Sequence, residues 1–325
     1  MLPPVIDVIK QRVAESSRPK NRTDTYRLGL CIEGGAMRGV VSATEVATLE
    51  LLGWRNIFDV VYGASGGAFN GAFFLANQAL YGAQIYLDHA NNNDFINVGR
   101  PFIGKKILNL EYLLDDVLIN RIPLDWEAVI SSDIPLRVVA TDAVRAKSTV
   151  VPIGKSQTSL FSALHASSHI PGAHGTKPYH LGGKLLWDAA ILDPFCLDTA
   201  VAEKCTHLLV LLSLPLEREK EASIVDKYFI APHLEKINPK LARAYIEKYN
   251  QDMDTLERLT KFDTKPRILT IAPPIKERIP SPLSKNRKRL GEGAIVGANA
   301  VFDKFAIDET QRHTILSHIK MYLRV

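Results

Sequence analysis

The chain has 325 residues, a hydrophobic fraction of 46% and a charged fraction of 23%, which is enough apolar material for a large core and an ordinary share of charge for a soluble globular protein. Its formal net charge of +5 favours anionic surfaces or substrates by long-range attraction and carries no information about fold. The cysteines Cys31, Cys196 and Cys205 form no CxxC pair, against a disulfide framework or a zinc site, and the basic cluster Lys285, Arg287, Lys288, Arg289 has no interleaved aromatics, so it reads as a solvated loop and not as a nucleic-acid surface.

Residues 1–26 carry Asp7, Lys10 and Arg12 inside an apolar pattern. They read as a helical segment and lack the uninterrupted apolar run of a secretory signal. "YRLGLCIEGG" predicts a buried strand ending in glycine. From Met37 onward, Val40, Val41, Thr44, Ala47, Thr48, Leu51 and Leu52 follow helical spacing. "FDVVYG" is a second strand and "GGAFNGAFFLANQAL" a helix. The uncharged run 60–87 is long enough on paper to span a bilayer. Its glycines, asparagines, glutamines and serine turn make a buried strand–turn–helix the better reading. "LRVVATD", "THLLVLLS" and "PRILTIAPP" are further strands. Strands apolar on both faces, alternating with helices, predict an α/β protein with a mostly parallel sheet covered on both sides.

Over about 217–265 the composition turns charged and helical, with Leu241, Tyr245, Tyr249, Met253, Leu256 and Leu259 on one stripe, an insertion before the last strand. "KERIPSPLSKNRKRLGEG" reads as a linker, and Ile315, Leu316, Ile319, Tyr322 and Leu323 mark a terminal amphipathic helix. The expected division is 1–26, an N-terminal helical segment; 27–275, the α/β domain with its insertion; and 276–325, a C-terminal helical extension.

Gly63-Ala64-Ser65-Gly66-Gly67 satisfies G-x-S-x-G between a predicted strand and a predicted helix, the context of a nucleophile elbow. Small residues two before and two after the serine let neighbouring elements approach. The hydroxyl then projects beside a helix N-terminus that favours developing negative charge. The competing reading is a small residue where a helix packs tightly. Upstream, "IEGGAMRGVV" places Gly34, Gly35, Ala36 and Gly39 between strand and helix, where backbone N–H groups converge on an anion. Neither G-x-G-x-x-G nor G-K-[ST] is present, so the oxyanion of a tetrahedral intermediate is the more coherent anion. Arg38 anchors this loop, adds positive potential, or is a surface arginine. A serine nucleophile needs a base. None of the nine histidines sits in a base motif. Asp188, in "HLGGKLLWDAAILDPF", is one carboxylate candidate; Asp142, Asp193 and Asp198 are others.

In this order, "EGGAMRG", "GASGG" and "WDAAILDPF" resemble the patatin-like phospholipase family. That family has a G-G-G-x-[KR]-G oxyanion loop, a G-x-S-x-G serine and a D-G-[GA] aspartate, a dyad without histidine. "ALHASSHIPGAHGTKPYHLGGKLLWDAAILDP" is similar to the stretch that leads, through a short hairpin, to the family's aspartate, and "VVATD" to one of its core strands. The likeness runs from about residue 28 to 212. It implies a three-layer sandwich around a mostly parallel sheet, Ser65 as nucleophile and Asp188 as base. It implies an oxyanion hole at Gly34, Gly35 and Ala36, Arg38 at the family's basic position, and Gly63 and Gly67 as the elbow's small residues. The implied substrate is a lipid acyl ester, with no metal and no cofactor. Two positions depart from the pattern. Ala36 replaces the third loop glycine, which costs energy if φ must be positive there. Ala189 replaces the glycine after the aspartate and puts a methyl group beside the base.

Two other readings stand beside this one. One is a histidine-dependent α/β-hydrolase with Asp188 or Asp193 as orienter and His313 as base. The other is a non-catalytic lipid- or acyl-binding protein on a degenerate scaffold, kept open by Ala36 and Ala189. The positive balance, with Phe102, Ile103, Ile107 and Leu108 beside Lys105 and Lys106, suits transient contact of a cytoplasmic protein with an anionic membrane surface; the equal alternative is that these apolar residues pack in the core or a lid.

Overall fold

The computed structural model describes residues 2–217, 230–261 and 265–325, apart from the side chains of 248–254. The five strands read from the sequence are β1 (Leu28–Ile32), β2 (Val60–Ala64), β3 (Leu136–Asp142), β7 (His207–Leu211) and β8 (Arg267–Ile271). They run parallel. Between β3 and β7 come β4 (Lys147–Val151), β5 (Tyr179–Leu181) and β6 (Lys184–Trp187), all paired antiparallel. The sheet order is β5-β6-β3-β2-β1-β7-β8, with β4 also pairing β3. β5 and β6 are the short hairpin that the resemblance implies. β4 escapes the sequence reading because four of its five residues are partly or fully exposed, leaving no apolar run to see.

Alternate residues of the buried strands feed two cores. Leu28, Leu30 and Ile32 of β1 and Leu209 and Leu211 of β7 join one cluster; Cys31, Leu208 and Val210 join the other. The first core lies under α2 (Val40–Leu51), α3 (Gly66–Leu75), α4 (Ala79–Asp88), α10 (Arg287–Phe305) and α11 (Glu309–Leu323), with α5 (Trp126–Ser131) and α6 (Gln157–Ser167) alongside. The second lies under α7 (Leu197–Ala202) and α9 (Pro239–Thr260), which α8 (Ala231–Glu235) precedes. A mostly parallel sheet with helices on both faces is the predicted α/β sandwich.

Local departures from the sequence reading have identifiable causes. The helix expected over "GGAFNGAFFLANQAL" is two helices, broken where Asn77 takes φ 59°, a left-handed conformation that asparagine tolerates. The helix expected from Met37 begins at Val40, after a tight 3₁₀ turn over Ala36–Gly39. The basic cluster read as a loop is largely helical, since Asn286 caps α10 through the Arg289 N–H and α10 opens at Arg287. Of the insertion stripe, Leu241, Tyr245, Leu256 and Leu259 are buried, whereas Tyr249 and Met253 lie outside the described side chains. Among the described residues no helix is long and apolar enough to cross a membrane.

The N-terminal α1 (Val5–Ala14) is fastened by one fully buried cation. Arg12 makes a two-pronged contact with Asp24 (2.8 and 2.7 Å) and a 2.8 Å contact with Asp59, and it donates to the carbonyls of Ile57 and Tyr26. Asp59 also accepts from the Leu28 N–H (2.7 Å) and Arg22 (2.9 Å). These groups sit where β1 and β2 begin, so helix, approach segment and sheet are one unit at that end.

Candidate active site

β2 runs fully buried into Ser65, and α3 starts at the next residue. Ser65 has φ 53° and ψ −127°, a conformation that L-residues rarely adopt and that costs about 1–3 kcal/mol when imposed. The surroundings hold it there. The Ser65 N–H donates to Ser167 Oγ (2.8 Å), whose own proton goes to the Val139 carbonyl (2.5 Å), and the Ala68 N–H returns to the Ser65 carbonyl (2.9 Å). A Cβ on Gly63 would come within 2.4 Å of Ala68 Cα, and one on Gly67 within 2.2 Å of the Ile32 carbonyl. Both flanking glycines are therefore required by close approach: the start of α3 lies against the ends of its own strand and of β1.

The glycine loop leaves β1 and sits directly on this turn. A Cβ on Gly34 would lie 2.5 Å from the Ala64 carbonyl and 2.8 Å from Ser65 Cβ. The loop is clamped from behind by the buried Glu33. Glu33 accepts from the Ser213 N–H (2.6 Å), and Ser213 Oγ lies within hydrogen-bond distance of both Glu33 (2.9 Å) and the Gly34 carbonyl (3.0 Å). Arg38 Nε donates to the same Ser213 oxygen (3.1 Å), so Arg38 anchors the loop as well as facing the cavity described below. On either side, the Glu33 N–H is used by Leu211 and the Met37 N–H by Pro282. Among the described residues, no hydrogen bond uses the N–H groups of Gly34, Gly35 or Ala36.

Of the two departures from the family pattern, one is strained and one is not. Ala36 has φ 49°, so its methyl group stands where glycine is the relaxed choice. Ala189 belongs to a 3₁₀ turn, and its side chain is fully buried in the cluster that holds Ala64, Val139 and Phe195.

Asp188 follows β6 and caps that turn. One carboxylate oxygen accepts from the Ala190 N–H (2.7 Å), its own N–H donates to the His169 carbonyl (3.0 Å), and its carbonyl accepts from Thr141 Oγ1 (2.9 Å). It is buried, and it lines the same cavity as Ser65, Gly35, Ala36 and Arg38, a space of about 210 Å³. Ile230 and Tyr245 of the helical insertion and Pro282 of the supposed linker close its other walls. No hydrogen bond between described residues joins the Ser65 and Asp188 side chains directly. The other carboxylates lie elsewhere. Asp142 accepts from the N–H groups of Val144 and Arg145 in a turn. Asp193 accepts from the N–H and hydroxyl of Thr199 in the first turn of α7, with its pKa raised by burial, and Asp198 lines a separate surface groove.

Ser65 also lines a second, apolar cavity of about 60 Å³, walled by Phe69, Phe73, Ile85, Phe95, Leu108 and Leu113. Beside the serine turn, Tyr86 donates to Asn70 (3.0 Å), and Asn70 donates to the Gly39 carbonyl (3.0 Å), linking α3 and α4 to the end of the glycine loop. His174 lines this cavity. Its Nδ1 accepts from the Ile170 N–H (3.1 Å), so in the neutral ring Nε2 carries the proton and has no lone pair to offer a serine. Burial, then the neighbouring His169 and His165, push its pKa down to about 3, which keeps it neutral. His313 is exposed on α11 and lines neither cavity. Sequence reasoning missed Glu33, Ser167, Ser213, Asn70, Tyr86 and Pro282. No motif marks any of them: Glu33 and Asn70 stand near the glycine loop and the serine turn in the chain, but like the other four they are bound into the site by contacts with residues distant in sequence.

Over 101 residues the chain is 28% identical to the uncharacterized protein YjjU of Escherichia coli (strain K12); the match spans 31% of this chain and 28% of that protein. A family model described as patatin-like phospholipase matches residues 30–201, from inside β1 through α7, which is more than half of the chain and includes the serine turn, the glycine loop and Asp188. The chain belongs to the patatin-like phospholipase family.

Proposed function

We propose that this protein is a serine lipid acyl hydrolase in which Ser65 is the nucleophile and Asp188 the general base, with the N–H groups of Gly34, Gly35 and Ala36 receiving the oxyanion. The observation that carries this reading is the position of Ser65 at the junction of two cavities. One holds Asp188, Arg38 and the glycine loop; the other is apolar and, at about 60 Å³, has room for the first carbons of an acyl chain. In acylation, Asp188 takes the hydroxyl proton as Oγ adds to the ester carbonyl, whose π electrons move to the oxyanion. Collapse expels the alcohol, which takes the proton back from Asp188. Water then adds to the acyl-enzyme, giving its proton to Asp188, and the carboxylic acid leaves as Ser65 is reprotonated. An ordinary aspartate is a weak base at neutral pH. The reading therefore requires hydroxyl and carboxylate to come into hydrogen-bond contact with substrate bound, a tightening common between free and occupied active sites.

The test is turnover of phospholipid and of p-nitrophenyl esters. Ser65→Ala and Asp188→Asn should each lose about a thousandfold or more in kcat, and a fluorophosphonate should label Ser65 in the parent protein. Full activity in Ser65→Ala ends the proposal. The strained φ of Ala36 favours the competing reading of a non-catalytic acyl-binding scaffold, which predicts lipid binding without labelling. We also propose that the protein works in the cytoplasm, with visits to a lipid surface.

A further inference from the structure

Between Phe95 and Leu108 the chain leaves the wall of the apolar cavity and returns to it. Its two limbs pair at the base through an Ile96–Leu108 bridge and a bond from the Asn97 N–H to the Ile107 carbonyl (2.9 Å). The return limb is tied to the segment carrying His174, because the Ile107 and Leu108 N–H groups both reach the Ala173 carbonyl. The tip is a 3₁₀ turn, Arg100–Ile103, closed by Gly104 at φ 72°. Leu108 is buried and Ile107 half-buried, so neither belongs to an outer surface. Phe102 and Ile103 are 93% and 70% exposed, and Val98 is 63% exposed. Large apolar side chains left in water as a group mark an interaction surface.

Cations surround this tip. Lys105 is exposed beside Ile103, Arg100 donates to the Asn93 and Asp94 carbonyls, and Lys106 pairs with Glu111. Lys285 donates to Asn93 (2.6 Å) and brings the basic start of α10 alongside. Asp94 and Glu111 are the local counter-charges, which leaves the patch net positive. Lys285 stands three residues from Pro282, which lines the Ser65 cavity and holds the Met37 N–H, and Leu283 between them is 42% exposed. The tip, the cations and the rim of the catalytic cavity are thus tied together.

We propose that Val98, Phe102 and Ile103, with Lys105 and Lys285, form a docking surface for an anionic lipid bilayer. The apolar residues enter the acyl boundary, and the cations rest on the headgroups. A flat partner with an apolar interior and a negative face matches both components, and the base of the docking element is itself the wall of the apolar cavity. The proposal rests on the lipid-hydrolase reading for its purpose, but binding is measurable without turnover.

The experiment uses the full chain carrying Ser65→Ala, sedimented with phosphatidylcholine vesicles containing about a third phosphatidylserine, and with phosphatidylcholine alone. The Ser65→Ala protein should partition onto the anionic vesicles, less so at high salt. Adding Phe102→Asp and Ile103→Asp should weaken partition at least about tenfold. Lys105→Glu and Lys285→Glu should each weaken it about fivefold. A separate Phe102→Trp protein should show a blue shift on the anionic vesicles. With Ser65 intact, the Phe102→Asp/Ile103→Asp protein should hydrolyse a monomeric p-nitrophenyl ester at the parent rate. Partition unaffected by the tip substitutions, no partition of the unsubstituted tip, or a dimer in solution that the tip substitutions dissociate would each overturn the docking surface. Absence of ester hydrolysis in every form counts against the enzyme reading alone, and the partition data still decide the docking surface.

Discussion

At residue scale the serine turn and the glycine loop obey one steric constraint. Gly34, Gly63 and Gly67 face backbone or Ser65 Cβ at 2.2–2.8 Å from where a methyl carbon would stand, so no other residue fits without moving a main chain. Ala36 is the exception: its methyl group has room but its φ of 49° is unfavourable. Ala36→Gly should therefore raise stability by about 0.5–1 kcal/mol, the left-handed strain relieved less the added chain entropy, read as a higher denaturation midpoint. The serine turn and the glycine loop were legible in the sequence because they are short patterns with a steric reason, whereas Asp188 stood beside Asp142, Asp193 and Asp198 until the family resemblance singled it out. The partners that hold them in place were not legible. Ser167 presents its hydroxyl to the Ser65 N–H, and Ser213 ties Glu33 to Arg38, yet each is an unremarkable serine in its own neighbourhood.

Among the elements, the buried parallel strands were readable because they are apolar on both faces, whereas the half-exposed β4 was not. α2 was readable from its spacing, but its spacing concealed a buried acid. Glu45 is fully buried on α2, and among the described residues neither carboxylate oxygen has a hydrogen-bond partner. Burial first, and the nearby Glu33 second, push its pKa well above the ordinary 4.5, so the folded protein holds it protonated. The unfolded chain ionises it near the ordinary value. Folding is unpenalised below that pH and loses stability progressively as pH rises toward the folded-state pKa. Glu45→Gln removes this titration. Its melting temperature relative to the parent should improve between pH 5 and pH 8, and a constant offset across that range would show that Glu45 does not titrate between the two states.

For the whole molecule, polar strength is divided between opposite ends of the sheet. Arg12, Asp24 and Asp59 gather where β1 and β2 start; the serine turn, the glycine loop and Ser213 gather where β2, β1 and β7 finish. Arg12→Met removes a fully buried cation, leaving Asp24 unpaired and Asp59 with Arg22 alone, and should cost about 3 kcal/mol in chemical denaturation. Turnover per folded molecule should stay at the parent value, since nothing in that cluster reaches the cavities. The ladder between those two ends has a consequence for how the site keeps its shape. Ile32 lies opposite Gly63 on one side and Leu211 on the other. Counting two residues further along each chain, Gly34 falls in one row with Ser65 and Ser213. A slip of β1 by a single residue would carry Gly34 about 3.3 Å along the strand axis and away from both. Alignment of glycine loop, serine turn and Ser213 clamp is thus inherited from main-chain pairing, and drift at this site is resisted by every rung of the sheet behind it.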